Sequence, residues 1–140
     1  MPEHIQFTIP ITPKGQARPR MSVIAGHAHV YESTPAREYK EALVTLAAAY
    51  RPKQPFDEGV DVCIIFRFAL PRSWPKRRQA APPAHTSRPD LENLAKPILD
   101  ALTRCGYWRD DSQVNRLTAM KYYAPIGDAG SVDVIVEAAC

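Results

Sequence analysis

The chain has 140 residues, 45% of them hydrophobic, which suits one compact domain spanning residues 1–140 around a buried core. No run approaches the roughly 20 consecutive apolar residues of a membrane span, and the start MPEHIQF lacks a secretory pattern, so a soluble, cytoplasmic protein with no membrane partner is expected. The net charge of +3 says little until the charges are placed, and Cys63, Cys105 and Cys140 fit neither a disulfide framework nor a zinc site, which excludes a disulfide-stapled secreted module and leaves reduced thiols.

Ile5, Phe7, Ile9 and Ile11 alternate with polar positions until Pro13, the period-two pattern of a strand with one buried face. Residues 18–31 hold two short extended pieces around Ala25 and Gly26, a hairpin or a mobile loop. Thr34 and Pro35 supply a cap and a first-turn proline, and Tyr39, Leu43, Leu46 and Tyr50 recur at helical spacing until Pro52. Val60, Val62, Ile64, Phe66 and Phe68 share one parity, with Cys63 and Ile65 on the other, which predicts a strand interior to a sheet.

From Pro71 to Pro89 the chain is rich in proline and cations and shows no periodicity, so a long functional loop is expected. It carries Arg72, Lys76, Arg77, Arg78 and Arg88 without a single acid, and Asp90, Glu92, Asp100, Asp110 and Asp111 follow directly. A second helix runs to Gly106, and residues 113–123 and 131–138 read as two strands joined by a turn through Pro125, Gly127 and Gly130, with Val132, Val134 and Val136 on one face. The sum is an α+β fold, a mixed sheet with helices packed on one face.

The second helix carries the chemistry. On a wheel of about 100° per residue, Leu91, Leu94, Ala95, Ile98, Leu99, Ala101 and Leu102 fall in one arc, and Glu92, Asn93, Lys96, Asp100 and Thr103 in the other. Glu92 and Lys96 are neighbours at i and i+4. Asp90 must sit at or just before the cap, from where its side chain can turn toward the space Glu92 reaches. Pro97, well inside, frees the carbonyl of Asn93 and predicts a kink. Taken alone, these residues favour the plain reading of a helix cap, a surface ion pair and an acidic turn.

The run RPDLENLAKPILDAL, with the following GYWRDDSQV, resembles the core signature of the RusA family of Holliday junction resolvases. The likeness extends in weaker form to the RPR at Arg18–Arg20, VYESTPAREYKEAL, PRSWPKRR and HTSRPD, segments similar to phage-type members. It implies a RusA-like fold and a metal-dependent endonuclease that resolves four-way junctions by paired nicks. Asp90, Glu92 and Asp111 fall on the family's catalytic acids, as Mg²⁺ ligands with Mn²⁺ able to substitute, and Lys96 falls on its essential lysine. Glu92 departs from the usual aspartate, moving the carboxylate outward by roughly 1.5 Å.

In that reading the carboxylates hold a hard cation that activates water, and Lys96 is a point charge for the scissile phosphate. Arg72, Trp74, Lys76, Arg77, Arg78 and Arg88 form a DNA grip, joined by Arg18 and Arg20. Trp108 is expected to pack, and His4, His27, His29 and His85 to lie at the surface with no metal spacing. The two-fold symmetry of a four-way junction implies a homodimer. The alternatives are a nuclease of the same fold that prefers flaps or ordinary duplex, and a DNA-binding protein whose site Glu92 has spoiled.

Overall fold

In chain order the computed structural model, which describes residues 4–139, runs β1 (His4–Ile9), β2 (Arg20–Ile24), β3 (His27–Tyr31), α1 (Thr34–Ala48), β4 (Val60–Phe68), α2 (Lys76–Ala80), α3 (Leu91–Cys105), one 3₁₀ turn (Asp111–Gln113), β5 (Val114–Tyr123) and β6 (Ser131–Ala138). The expectation for Cys140 lies outside the described residues, while Cys63 and Cys105 are free thiols.

Four strands make one mixed sheet in the order β1-β6-β4-β5. β6 and β4 are its interior strands, and β4 runs antiparallel to β6 and parallel to β5. Its alternate residues Val60, Val62, Ile64 and Phe66 are buried with Val132, Val134 and Val136 of β6 and Phe7 and Ile9 of β1. Against this face pack α1, through Tyr39, Leu43 and Ala47, and α3, through Leu94, Ile98 and Leu102. Each such leucine or isoleucine contributes about 1.5–3 kcal/mol relative to exposure. The opposite face is polar where β1, β6 and β4 meet: Thr8 donates to Asp133, which also pairs with Arg67, and His4 meets Glu137. Among the described residues no helix is long and apolar enough to cross a membrane.

Several boundaries move for local reasons. Ser33, not Thr34, caps α1 by accepting from the Ala36 N–H, and α1 ends at Ala48, well before Pro52. β5 and β6 are consecutive in sequence but β4 lies between them, because a parallel β4–β5 pair leaves the other edge of β4 for β6. The expected loop 71–89 contains the one-and-a-half-turn helix α2, too short for periodicity to reveal. Gly106 closes α3 in the left-handed conformation (φ 84°), as its position after the last apolar residue predicts.

Pro97 is buried inside α3, and the carbonyl it frees finds a partner outside the helix: the Gln16 N–H donates to the Asn93 oxygen at 2.9 Å. The Lys14 N–H donates to the Tyr39 hydroxyl at 3.1 Å. Residues 14–16 thus form a strap tied to both helices.

Candidate active site

Asp90 has extended backbone (φ −80°, ψ 163°), and its side chain accepts from the Asn93 N–H at 3.1 Å, capping α3 as its place before the helix predicts. Three segments converge on it. Gly15 of the strap lies so close to Pro89 that a Cβ there would stand 3.0 Å from the proline's own Cβ. Lys121 of β5, opposite the buried Phe66, reaches across with its ammonium to donate to the carbonyls of Ser87 (2.8 Å) and Pro89 (3.0 Å). Arg18 and Arg88 line the same recess as Asp90 and Asn93.

The sequence reading missed Lys121; a lysine on the core-side parity of a sheet strand is the signal that marks it. It holds the chain immediately before Asp90 in place. Lys121→Met, which keeps the stem and loses both hydrogen bonds, is expected to lower single-turnover DNA cleavage by about tenfold with little change in thermal midpoint. An unchanged rate would remove that role.

A second recess, of about 520 Å³, opens at the other end of α3 between Glu32, Lys40, Pro97, Asp100, Asp110 and Asp111. Lys40 pairs with Glu32 there. Asp110 caps the 3₁₀ turn by accepting from the Ser112 N–H at 2.9 Å. Gln113 locks the same turn: its oxygen accepts from the N–H groups of Arg109 (2.8 Å) and Asp110 (3.2 Å), and its amide donates to the carbonyls of Phe56 (2.8 Å) and Glu58 (3.0 Å). The hydrogen bond from the Ser112 backbone holds the Asp110 carboxyl below its ordinary range. Asp111 is pushed above its range, first by the hydrogen bond it shares with Asp110, then by desolvation and the charges of Asp110 and Asp100.

The two recesses lie in a row along α3. A third lies between them, sharing Gly15 and Gln16 with the Asp90 end and Lys40 and Pro97 with the Asp111 end. The row of recesses is thus a groove interrupted where the Gln16 N–H meets the Asn93 carbonyl, with carboxylates at its two ends. Asp90 and Asp100 are separated by ten residues, about 15 Å of helix axis, and Asp111 stands beside Asp100. Asp90, Glu92 and Asp111 accordingly do not converge within one chain, and among the described residues no three His, Cys, Asp or Glu side chains form a group able to hold an ion. The fifteen-residue length of α3 keeps its ends apart, and the chain after Gly106 turns back into β5 beside the end it has just left.

Glu92 and Lys96 are both exposed, yet no ion pair between them is found among those of the described residues. Lys96 stands about midway between the two acidic ends, roughly 6 Å along the axis from Glu92 and from Asp100. Asp100, placed on the polar arc but not in the candidate site, joins Asp111 through the fold.

In the basic segment Arg72, Lys76, Arg77 and Arg78 are exposed. Trp74 is only half available: its ring meets Tyr123 edge-on at 5.0 Å, and the Arg78 guanidinium lies 4.1 Å from its centre. Trp108 is buried, as expected. His85 corrects the expectation of a surface histidine: it is half-buried between Phe68 (4.5 Å) and Tyr123 (4.6 Å), because the proline-rich segment folds back over the end of β4 and β5.

Desolvation, then the Lys121 charge, lowers the His85 pKa below its ordinary 6.5. The docked imidazole resists a proton that the undocked one accepts, so docking is fully stable above that value and loosens as pH falls through and below it. Amide protection factors across residues 71–89, taken relative to the intrinsic exchange rate at each pH, are expected to fall below pH 6.5 in the natural chain and not in His85→Phe; identical pH profiles would overturn the assignment.

The family model described as Endodeoxyribonuclease RusA matches residues 10–136. "Uncharacterized protein YqaN" of Bacillus subtilis (strain 168) is 29% identical over 126 residues, 86% of this chain and 88% of the relative. "Crossover junction endodeoxyribonuclease rusA" of Lactococcus phage r1t is 28% identical over 118 residues, 83% of this chain and 85% of its own length. The protein of the same description from Escherichia coli (strain K12) is 39% identical over 49 residues, 35% of this chain and 39% of that one.

Proposed function

The chain belongs to the RusA endodeoxyribonuclease family, and from that premise we propose that it is a Mg²⁺-dependent nuclease that resolves four-way DNA junctions by paired, symmetric nicks. One observation supports this reading above the others: a row of adjoining recesses along α3 with carboxylates at its two ends, Arg18, Arg88 and Lys40 among the lining residues and Lys96 exposed on the stretch of helix between the ends. A polyanion needs such cations, and phosphodiester hydrolysis needs the acids.

A bound Mg²⁺ or Mn²⁺ would supply an activated water and charge stabilisation at the phosphate, and Asp90, Glu92 and Asp111 are the residues proposed to hold it. A three-carboxylate set does not fit one chain. Each end offers a smaller set, and Mg²⁺ accepts one or two carboxylates with substrate phosphate in its shell. A homodimer is therefore part of the reading, since a second copy about a two-fold axis can complete each end of the groove and matches the symmetry of the junction. Lys96 is proposed to place its ammonium against the reacting phosphate, and Arg18, Arg20, Arg72, Lys76, Arg77, Arg78 and Arg88 to neutralise flanking phosphates. Trp74, already covered on one side, offers DNA only its remaining edge. A cytoplasmic location belongs to the same proposal.

The test is a labelled four-way junction, a flap and a linear duplex of shared sequence, each with and without Mg²⁺ or Mn²⁺. Metal-dependent paired nicks in the four-way junction are expected. Preferential cutting of flaps or duplex would replace the substrate, and no cutting of any branched DNA would leave a binding protein without catalysis.

A further inference from the structure

Residues Arg20–Tyr31 form a hairpin of which the reading above uses only Arg20. Its register sorts the side chains onto two unlike faces. Arg20, Ser22, Ile24, His27, His29 and Tyr31 share one, and Met21, Val23, Ala28 and Val30 share the other. Nothing among the described residues covers either: Met21, Val23 and Val30 are 69%, 74% and 71% exposed, and only Ser22 is half-buried. A two-stranded ribbon is marginal in water by itself, so a partner is needed to cover it.

Charge identifies that partner. No Asp or Glu occurs between Glu3 and Glu32, whereas Lys14, Arg18, Arg20, His27 and His29 do. Arg18, at the base of the hairpin, lines the recess of Asp90, so the arm springs from the start of α3, beside the groove. A second copy of the chain is a poorer match, because the exposed apolar side chains are split between the faces, Met21, Val23, Ala28 and Val30 on one and Ile24 and Tyr31 among the basic residues of the other, so neither offers the continuous patch that a stable interface of roughly 1,200 Å² needs.

We propose that the hairpin is a branch-point arm, its basic face on DNA phosphates and its apolar face against the base-pair surface that a junction leaves unstacked. The inference rests on the junction reading above. Continuous duplex hides its base faces and offers only phosphates and groove edges; a branch point offers both chemistries side by side. A two-stranded ribbon is narrow enough to enter a major groove, and methionine and other aliphatic side chains are known wedges between base steps. The arm therefore confers preference for branched over linear DNA.

The test compares the full-length chain with M21S/V23S and with R20A, using anisotropy on a four-way junction and on duplex of the same arms, without divalent metal, across a salt series. Both apolar side chains are exposed, so the double variant is expected to fold normally. M21S/V23S should lose about tenfold in junction affinity and leave duplex affinity unchanged. R20A should weaken both and reduce the salt slope by about one. Equal loss on both DNAs, or no loss, in M21S/V23S overturns the arm. So does a fall in molar mass by light scattering, which would assign the apolar face to a second copy. Absence of junction preference in the unsubstituted chain would instead overturn the junction reading itself.

Discussion

Asp90→Asn is expected to lower Mg²⁺-dependent cleavage of a four-way junction by about 10²–10³-fold while leaving thermal stability within about 2 °C of the natural chain. Asp90 has two separable duties. Its oxygen accepts from the Asn93 N–H and caps α3, and its charge faces the recess shared with Arg18 and Arg88. Asparagine is as good a cap as aspartate, so the first duty survives and the second is removed. Asp90→Ala removes both, and should add about 1 kcal/mol of destabilisation to the same catalytic loss. At the other end Asp111→Asn should lose cleavage to a similar extent, because an amide supplies neither charge nor a strong ligand. The raised pKa of Asp111 adds a pH signature, since its protonated form cannot serve as a carboxylate. The rate of the natural enzyme should climb as pH rises above the ordinary carboxylate value of 3.8. Single-turnover rates with melting curves decide the matter: a fully active Asp90→Asn would reduce Asp90 to a cap.

α3 was legible because a 3.6-residue period, a cap and a terminal glycine each act within a few residues. The wheel predicts its buried stripe, to which Pro97 and Cys105 are added, with Leu91 and Leu99 at the margin. Even the freed Asn93 carbonyl was foreseeable, though not its partner Gln16, which lies 77 positions earlier in the sequence. What stayed hidden depends on neighbours far apart in the chain. Periodicity identifies β5 and β6 but does not reveal that β4 runs between them. It marks Trp74 and His85 as members of a basic loop, yet their packing follows from Tyr123 and Phe68. The acidic residues were legible as chemistry; which end of α3 each occupies is a property of the chain's return path.

The return path itself depends on one indole. Trp108→Ala is expected to cost about 3–5 kcal/mol, a large share of the ~5–15 kcal/mol that holds a typical domain, and to lower the melting point by some 10–20 °C. Trp108 is 1% exposed, its Nε1–H donates to the Thr103 hydroxyl at 2.8 Å, and its backbone bridges Phe56 beside the strand entry. Its neighbour Tyr107 donates to the Ala47 carbonyl at 2.7 Å, so α1, α3 and the turn are clasped at one point. Asp110 and Asp111 leave that clasp within three residues. Trp108→Phe keeps most of the packing and loses the hydrogen bond. It should melt only slightly earlier but cleave DNA more slowly at temperatures where it remains folded, because the acidic turn then loses its link to α3 through Thr103 and keeps only Gln113 and its own Asp110 cap. A Trp108→Ala chain with an unaltered melting point would mean that the turn is held without the indole. Stability and cleavage falling together in Ala, but apart in Phe, would place the acidic end of the groove under the control of the core.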